Sequence, residues 1–188
     1  MKHKIEAFEN LVEAFNTLPG IGKKTAVRLA YHIAVEDGFC GVKLAQAIED
    51  AVETVRKCLN CHNMSEDELC GICADESRDK SKLCIVQSAK DILSIEESGE
   101  FAGIYYVVSR LEDMDELHLR HVIEGVFEVI FAFPPSIATD TMILYIEDKL
   151  EGSEVIFTKI AQGVPTGVEL ENIDIMSLSR ALEARVRI

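Results

Sequence analysis

Apolar residues recur every three to four positions in the first third of the chain, then form short continuous runs beyond residue 82. The first pattern belongs to amphipathic helices and the second to strands covered on both faces. Ile5, Phe8, Leu11, Val12 and Phe15 make one stripe on a helix over residues 4–17. Leu18-Pro19-Gly20-Ile21-Gly22-Lys23-Lys24-Thr25 then interrupts the periodicity, with Pro19 ending the helix and two glycines permitting a tight turn. A second helix buries Ala26, Leu29, Ala30 and Ile33, and a third over 41–57 carries Leu44, Ile48, Val52 and Val55 on one side.

In the second half, Leu83–Val86, Ile104–Val108, Val126–Phe133 and Val155–Phe157 read as strands. Helical segments at 89–97, around 115–125 and at 138–149 separate them. Strand and helix in alternation predict a parallel α/β sheet covered on both faces, with any site beyond the strands' carboxyl ends. No glycine-rich phosphate-binding signature occurs there, so nucleotide binding has no motif behind it. The tail, a loop at Gly163-Val164-Pro165-Thr166-Gly167 and a helix over Met176–Ala184, is a candidate for packing on a neighbouring subunit.

Between the two halves stand Cys58-Leu-Asn-Cys61 and Cys70-Gly-Ile-Cys73. Two Cys-x-x-Cys pairs in a polar stretch supply the closed four-thiolate shell of a structural zinc ion, one per chain. A redox role would need only one pair, and His62 finds no vacancy beside four thiolates. Cys40 stands alone after Gly38-Phe39, and Cys84 opens an apolar run as a small buried residue.

Charge at first argues against a nucleic-acid partner, because the 188 residues carry a net −14. Its distribution changes the picture. Residues 1–37 hold five basic and five acidic side chains, residues 38–86 six and nine, and residues 87–188 eight and nineteen. A phosphate-binding surface is therefore expected to be local and confined to the first segment. Hydrophobic content of 48% supports real cores. No window approaches the roughly 20 apolar residues that span a bilayer. No signal-peptide pattern opens the chain, so a cytoplasmic, nucleoid-associated protein with reduced cysteines is expected, without a membrane partner.

Helix, Leu-Pro-Gly-Ile-Gly turn and helix is the pattern of a helix-hairpin-helix motif. Amides around Gly20 and Gly22, at the start of the second helix, can bind a DNA phosphate. Lys24 and Arg28 lie one turn apart on the polar face, and Lys23 adds charge. The expected organisation is a multi-domain α plus α/β chain. It has a helix-hairpin-helix domain at 1–57, a four-cysteine zinc finger at 58–79, a Toprim-like domain at 80–160, and a C-terminal loop and helix at 161–188, a candidate subunit-exchange element.

The order of these parts resembles the RecR family of bacterial recombination mediators. The resemblance rests on the Leu18–Lys24 hairpin, the cysteine quartet, Ile85-Val86 leading to Asp91-Ile92, and Gln162-Gly163-Val164-Pro165-Thr166-Gly167-Val168-Glu169-Leu170-Glu171 followed by Leu178–Glu183. It implies a Toprim domain, self-association to a dimer or a ring-like homotetramer, and DNA (single-stranded, duplex or both) as ligand. It also implies RecO, often with RecF, as partners in loading RecA. Lys24 and Arg28 match the family's DNA-contacting positions, and Cys58, Cys61, Cys70 and Cys73 its zinc ligands. Three departures matter. Gln87 stands where Toprim enzymes place a glutamate, and Pro134-Pro135-Ser136-Ile137-Ala138-Thr139-Asp140 leaves only Asp140 where the family has an acidic run. Ser109–Asp115 also replaces the family's Gly-Ile-Gly-Pro loop. The expectation is a DNA clamp with no catalytic residue. The rival is a Mg²⁺-dependent Toprim-type nuclease, which Gln87 disfavours because an amide cannot supply the charge a hard ion needs.

Overall fold

A computed structural model describes residues 5–161, 163–164 and 167–185. The chain divides into two compact units, one ending at Val55 and one beginning at Arg56. The first is helical: α1 (Glu6–Asn16), α2 (Lys23–Tyr31), a π-helical turn at His32–Glu36, and α3 (Gly38–Thr54). Ala26 and Ala30 of α2 are fully buried, while Phe8, Leu11, Val12, Phe15, Leu29 and Ile33 are half-buried around them. The expected stripe on α3 does not close a core within this chain. Ile48 is 55% and Val52 78% exposed, and Ile5 at the start of α1 is 69% exposed. Three helices of this length cannot cover every apolar face they present. Helix α3 also ends at Thr54 rather than 57, because Val55 turns to an extended conformation.

The second unit opens with the cysteine finger, which contains β1 (Arg56–Lys57), β2 (Met64–Ser65) and α4 (Gly71–Ala74). Strands β1 and β2 pair antiparallel. There follow β3 (Asp79–Val86), α5 (Ala89–Ser98), β4 (Gly103–Val107), a 3₁₀ turn at Leu111–Asp113, α6 (Glu116–Val122), β5 (Glu128–Ala132), α7 (Ile137–Lys149) and β6 (Ile156–Lys159). A 3₁₀ turn at Leu170–Asn172 and α8 (Ile175–Glu183) come last. The four-stranded sheet runs β4-β3-β5-β6, and all its pairings are parallel.

Alternation along the strands divides the core in two. Leu83, Ile85, Tyr106, Val129 and Phe131 pack with Leu119, Val122, Met142 and Ile146 of α6 and α7. Cys84, Val86, Tyr105 and Val107 pack with Ile92 of α5 on the other face. Because β3 and β5 are neighbours whose following helices cover opposite faces, the crevice at their carboxyl ends is where such a sheet offers a site. Helix α5 starts at a full capping box between Ser88 and Asp91, and α7 at one between Ser136 and Thr139.

Gly103 marks a close approach at the shifted register between β3 and β4. A Cβ there would lie 2.5 Å from the Lys82 carbonyl oxygen, which is backbone and cannot swing away. Gly103→Ala should therefore destabilise the second unit by about 1–3 kcal/mol, the usual cost of overpacking. Urea unfolding reads this directly, and an unchanged midpoint would contradict the close approach.

Candidate nucleic-acid interface and metal centre

The hairpin between α1 and α2 follows from its residue types. Thr17 Oγ1 donates to the Ala14 carbonyl at 2.7 Å, closing α1. Ile21 N–H donates to the Leu18 carbonyl at 3.2 Å, and Gly20 in between has φ +80°. Proline at the second turn position and a left-handed glycine at the third are what a type II turn requires. Gly22 is then the N-cap of α2, with no side-chain cap on the helix amides. The first intrahelical bond there is Ala26 N–H to the Gly22 carbonyl. The amides of the opening turn are thus left for an outside acceptor.

Space and charge fit that acceptor. A Cβ at Gly20 or Gly22 would meet nothing within 4 Å, so the backbone there is open on that side. Gly20, Gly22, Lys23, Lys24 and Arg28 are all exposed. No acidic side chain pairs with Lys23, Lys24 or Arg28 among the described residues. The five residues named from the sequence therefore lie together on the hairpin and the first turns of α2.

In the finger, one sulfur from each of Cys58, Cys61, Cys70 and Cys73 lies within 4.8 Å of the others, and no disulfide joins them. Cys61 and Cys70 Sγ are 3.5 Å apart. Four sulfurs about 2.3 Å from one ion would stand about 3.8 Å from each other, so the quartet fits zinc. Backbone and side-chain amides already face the sulfurs: Cys70 N–H donates to Cys58 Sγ at 3.3 Å and Asn60 Nδ2 to Cys73 Sγ at 3.5 Å. Such donors stabilise thiolates. The Cys73 thiol is held down to about 5, chiefly by its hydrogen bond with Cys61, whose own thiol is pushed up by the same bond and by burial. Sulfurs gathered this closely, three of them buried, are a donor set suited to a doubly charged ion. His62 is not among the ligands.

His62 does something else, which the sequence did not signal. It is the one non-glycine residue with positive φ among those described, at 61°. Its ring lies 4.9 Å from that of Tyr106 in β4 and 5.4 Å from that of His118 in α6. Burial lowers its pKa, which favours the neutral imidazole. His118 Nε2 lies 2.8 Å from the Asn60 carbonyl, and Val107 N–H donates to the Cys61 carbonyl at 2.9 Å. The finger is thereby fastened to the outer edge of β4. Its acidic flank, Glu66, Asp67, Glu68, Asp75 and Glu76, is exposed.

At the β3–β5 crevice, Gln87 Nε2 donates to Met142 Sδ at 3.5 Å. Asp140 is drawn the other way, with Lys159 Nζ 3.9 Å from its carboxylate. The place of an acidic run is taken by the α7 cap, where buried Thr139 donates to the Pro134 carbonyl at 2.7 Å. Of the tail motif, residues 163–164 and 167–171 are described, while Gln162, Pro165 and Thr166 lie outside the described residues, as do residues 186–188.

Stripping the metal with a chelator should release one zinc per chain, counted by atomic absorption, and lower the melting temperature of the protein. Structural zinc contributes about 10–16 kcal/mol of apparent binding free energy in finger peptides, so the loss should be large. Identical melting of the metal-free protein would remove the structural role.

Comparison with known proteins places these features. Three family models match: RecR, helix-hairpin-helix over residues 8–52; RecR, four-cysteine zinc finger domain over 55–75; and RecR, C-terminal over 163–186. The recombination protein RecR of a Nitratiruptor species is 54% identical over 190 residues, covering 100% of both chains. That of Campylobacter jejuni subsp. jejuni is 47% identical, covering 98% of each. That of Helicobacter pylori (strain Shi470) is 45% identical, covering 99% of this chain and 97% of its own. Identity at this level across the whole length, with the hairpin and the cysteine quartet both in place, means that the chain belongs to the RecR family of recombination proteins.

Proposed function

We propose that this protein is a DNA repair and recombination mediator that holds DNA without cutting it. The observation that carries the reading is the exposed start of α2. Open helix amides, Lys24 and Arg28 lie there without acidic partners among the described residues, in a chain whose acidity is concentrated after residue 87. Lys24 and Arg28 at i, i+4 repel each other by a few tenths of a kcal/mol, and a bound phosphate reverses that sign. One such hairpin is a weak site. Several copies repeated by symmetry make a strong one, which is the logic of a ring-like clamp.

Self-association to dimers and a tetramer is supported by the apolar surface each unit leaves uncovered. Phe39 and Val42 at the start of α3 are 73% and 69% exposed, and on α8 Ile175 is 86% exposed. In the same reading RecO, often with RecF, is the protein partner, and the assembly loads RecA onto single-stranded DNA in the cytoplasm. The non-enzymatic part rests on the crevice, where Gln87 and a capping threonine stand in place of the carboxylates that a Mg²⁺-dependent nuclease requires.

Lys24→Ala/Arg28→Ala should weaken DNA binding and flatten its salt dependence, by about one unit of log–log slope for each phosphate no longer neutralised. Fluorescence anisotropy across a salt series measures both, and equal slopes for variant and parent would move the DNA site elsewhere. Light scattering should give a mass that is a multiple of the single chain's. A strict monomer at micromolar concentration would end the preformed clamp.

A further inference from the structure

Beyond the cysteine quartet, the structure assigns a second metal-binding site to the turn joining α2 to α3, built from His32, Asp37 and Cys40 and suited to a borderline divalent ion such as Zn²⁺. A ring nitrogen of His32, a carboxylate oxygen of Asp37 and the sulfur of Cys40 all lie within 4.8 Å of one another. His32 and Asp37, five residues apart in sequence, do not share a face of a regular α-helix. Three local features bring the trio together.

The first is the π-helical turn. Asp37 N–H donates to the His32 carbonyl at 2.8 Å, an i to i+5 bond that widens the last turn and places Asp37 beneath His32. Single π turns of this kind frequently accompany functional sites. The second is the N-cap of α3: one oxygen of Asp37 accepts from Cys40 N–H at 2.9 Å, holding carboxylate and cysteine side by side. The third is Gly41, where a Cβ would lie 2.4 Å from Ile33 Cγ2. Its absence lets the first turn of α3 sit against the π turn.

The donor set then selects the ion. Imidazole nitrogen and thiolate sulfur with one carboxylate favour zinc and its neighbours, and disfavour Mg²⁺ and Ca²⁺, which seek oxygen alone. Glu36 Oε2 lies 2.7 Å from His32 Nδ1, giving the imidazole the carboxylate partner that metal-bound histidines usually have. Residues 32–40 carry two acidic and no Lys or Arg side chains, so a divalent ion would neutralise the turn. Lys43, the next cation along the chain, lies over the Phe39 ring, 5.6 Å from its centroid. His32 and Glu36 are half-exposed, so the ion has direct access from solvent and water can complete its shell. On binding, the Cys40 thiol gives its proton to solvent and a sulfur–metal bond forms, with no change of oxidation state. The bound ion would clamp the end of α2 to the start of α3 and stabilise the helical unit by linkage.

Native mass spectrometry of the full-length, zinc-loaded protein under thiol-free reducing conditions tests this, with Zn²⁺ as the titrant. A second ion per chain is expected. His32→Ala and Cys40→Ser should each abolish the second ion while retaining the first. Glu36→Gln should weaken it about 10–100-fold. Circular dichroism and retention of the first zinc establish that the variants are folded. Failure of the folded parent to take up a second ion in excess Zn²⁺ would overturn the site, as would a second ion that survives both His32→Ala and Cys40→Ser.

Discussion

Four buried or half-buried thiols gathered into one small volume are the constraint on which the second unit depends. The finger has too little else to hold it. Its strands are two residues each and its helix four, lengths at which neither hairpin nor helix persists alone in water. A divalent ion turns mutual repulsion among sulfurs into attraction and fixes the backbone around them. Only a fixed loop can hold His62 at φ 61°, a conformation that costs roughly 1–3 kcal/mol for a residue with a Cβ. That conformation aims the ring at Tyr106 and His118, and the Cys61 carbonyl reaches Val107 N–H. The metal thus acts through the loop on the sheet.

The same logic separates what was legible in the sequence from what was not. The α1–α2 hairpin was legible because proline and glycine act on their own dihedrals and the apolar stripes are local. The cysteine quartet was legible because its spacing is its chemistry. The four sheet strands were visible as apolar runs, though their order, with β3 between β4 and β5, was not, since parallel pairing is set by helices packing across the chain. The β1–β2 hairpin was hidden because Arg56, Lys57, Met64 and Ser65 carry no strand signal and pair only under the finger's constraint. Cys40 read as isolated because α-helical spacing does not bring His32 and Asp37 to it, and only the π turn reunites them. The contacts of His62 with Tyr106 and His118 span more than forty residues and had no local trace.

At the crevice between β3 and β5, the sequence departures have a structural counterpart. Gln87 is turned to a methionine sulfur, Thr139 is engaged in the helix cap, and Asp140 leans toward Lys159. Each carries out an ordinary structural task. The polar groups at the carboxyl ends of β3 and β5 are thus engaged with neighbours of the same unit.

The fastening of the finger to β4 carries a consequence for the edge of the sheet. Strand β4 is the outer strand of the sheet, and part of its free hydrogen-bonding edge is occupied by the Cys61 carbonyl. Tyr105, Tyr106 and Val107 make it a strongly β-forming stretch. When zinc is scarce the finger loosens, and a bare edge of this composition becomes a template for strands of other chains. The ion that orders the finger thereby also guards the edge of a sheet it never touches.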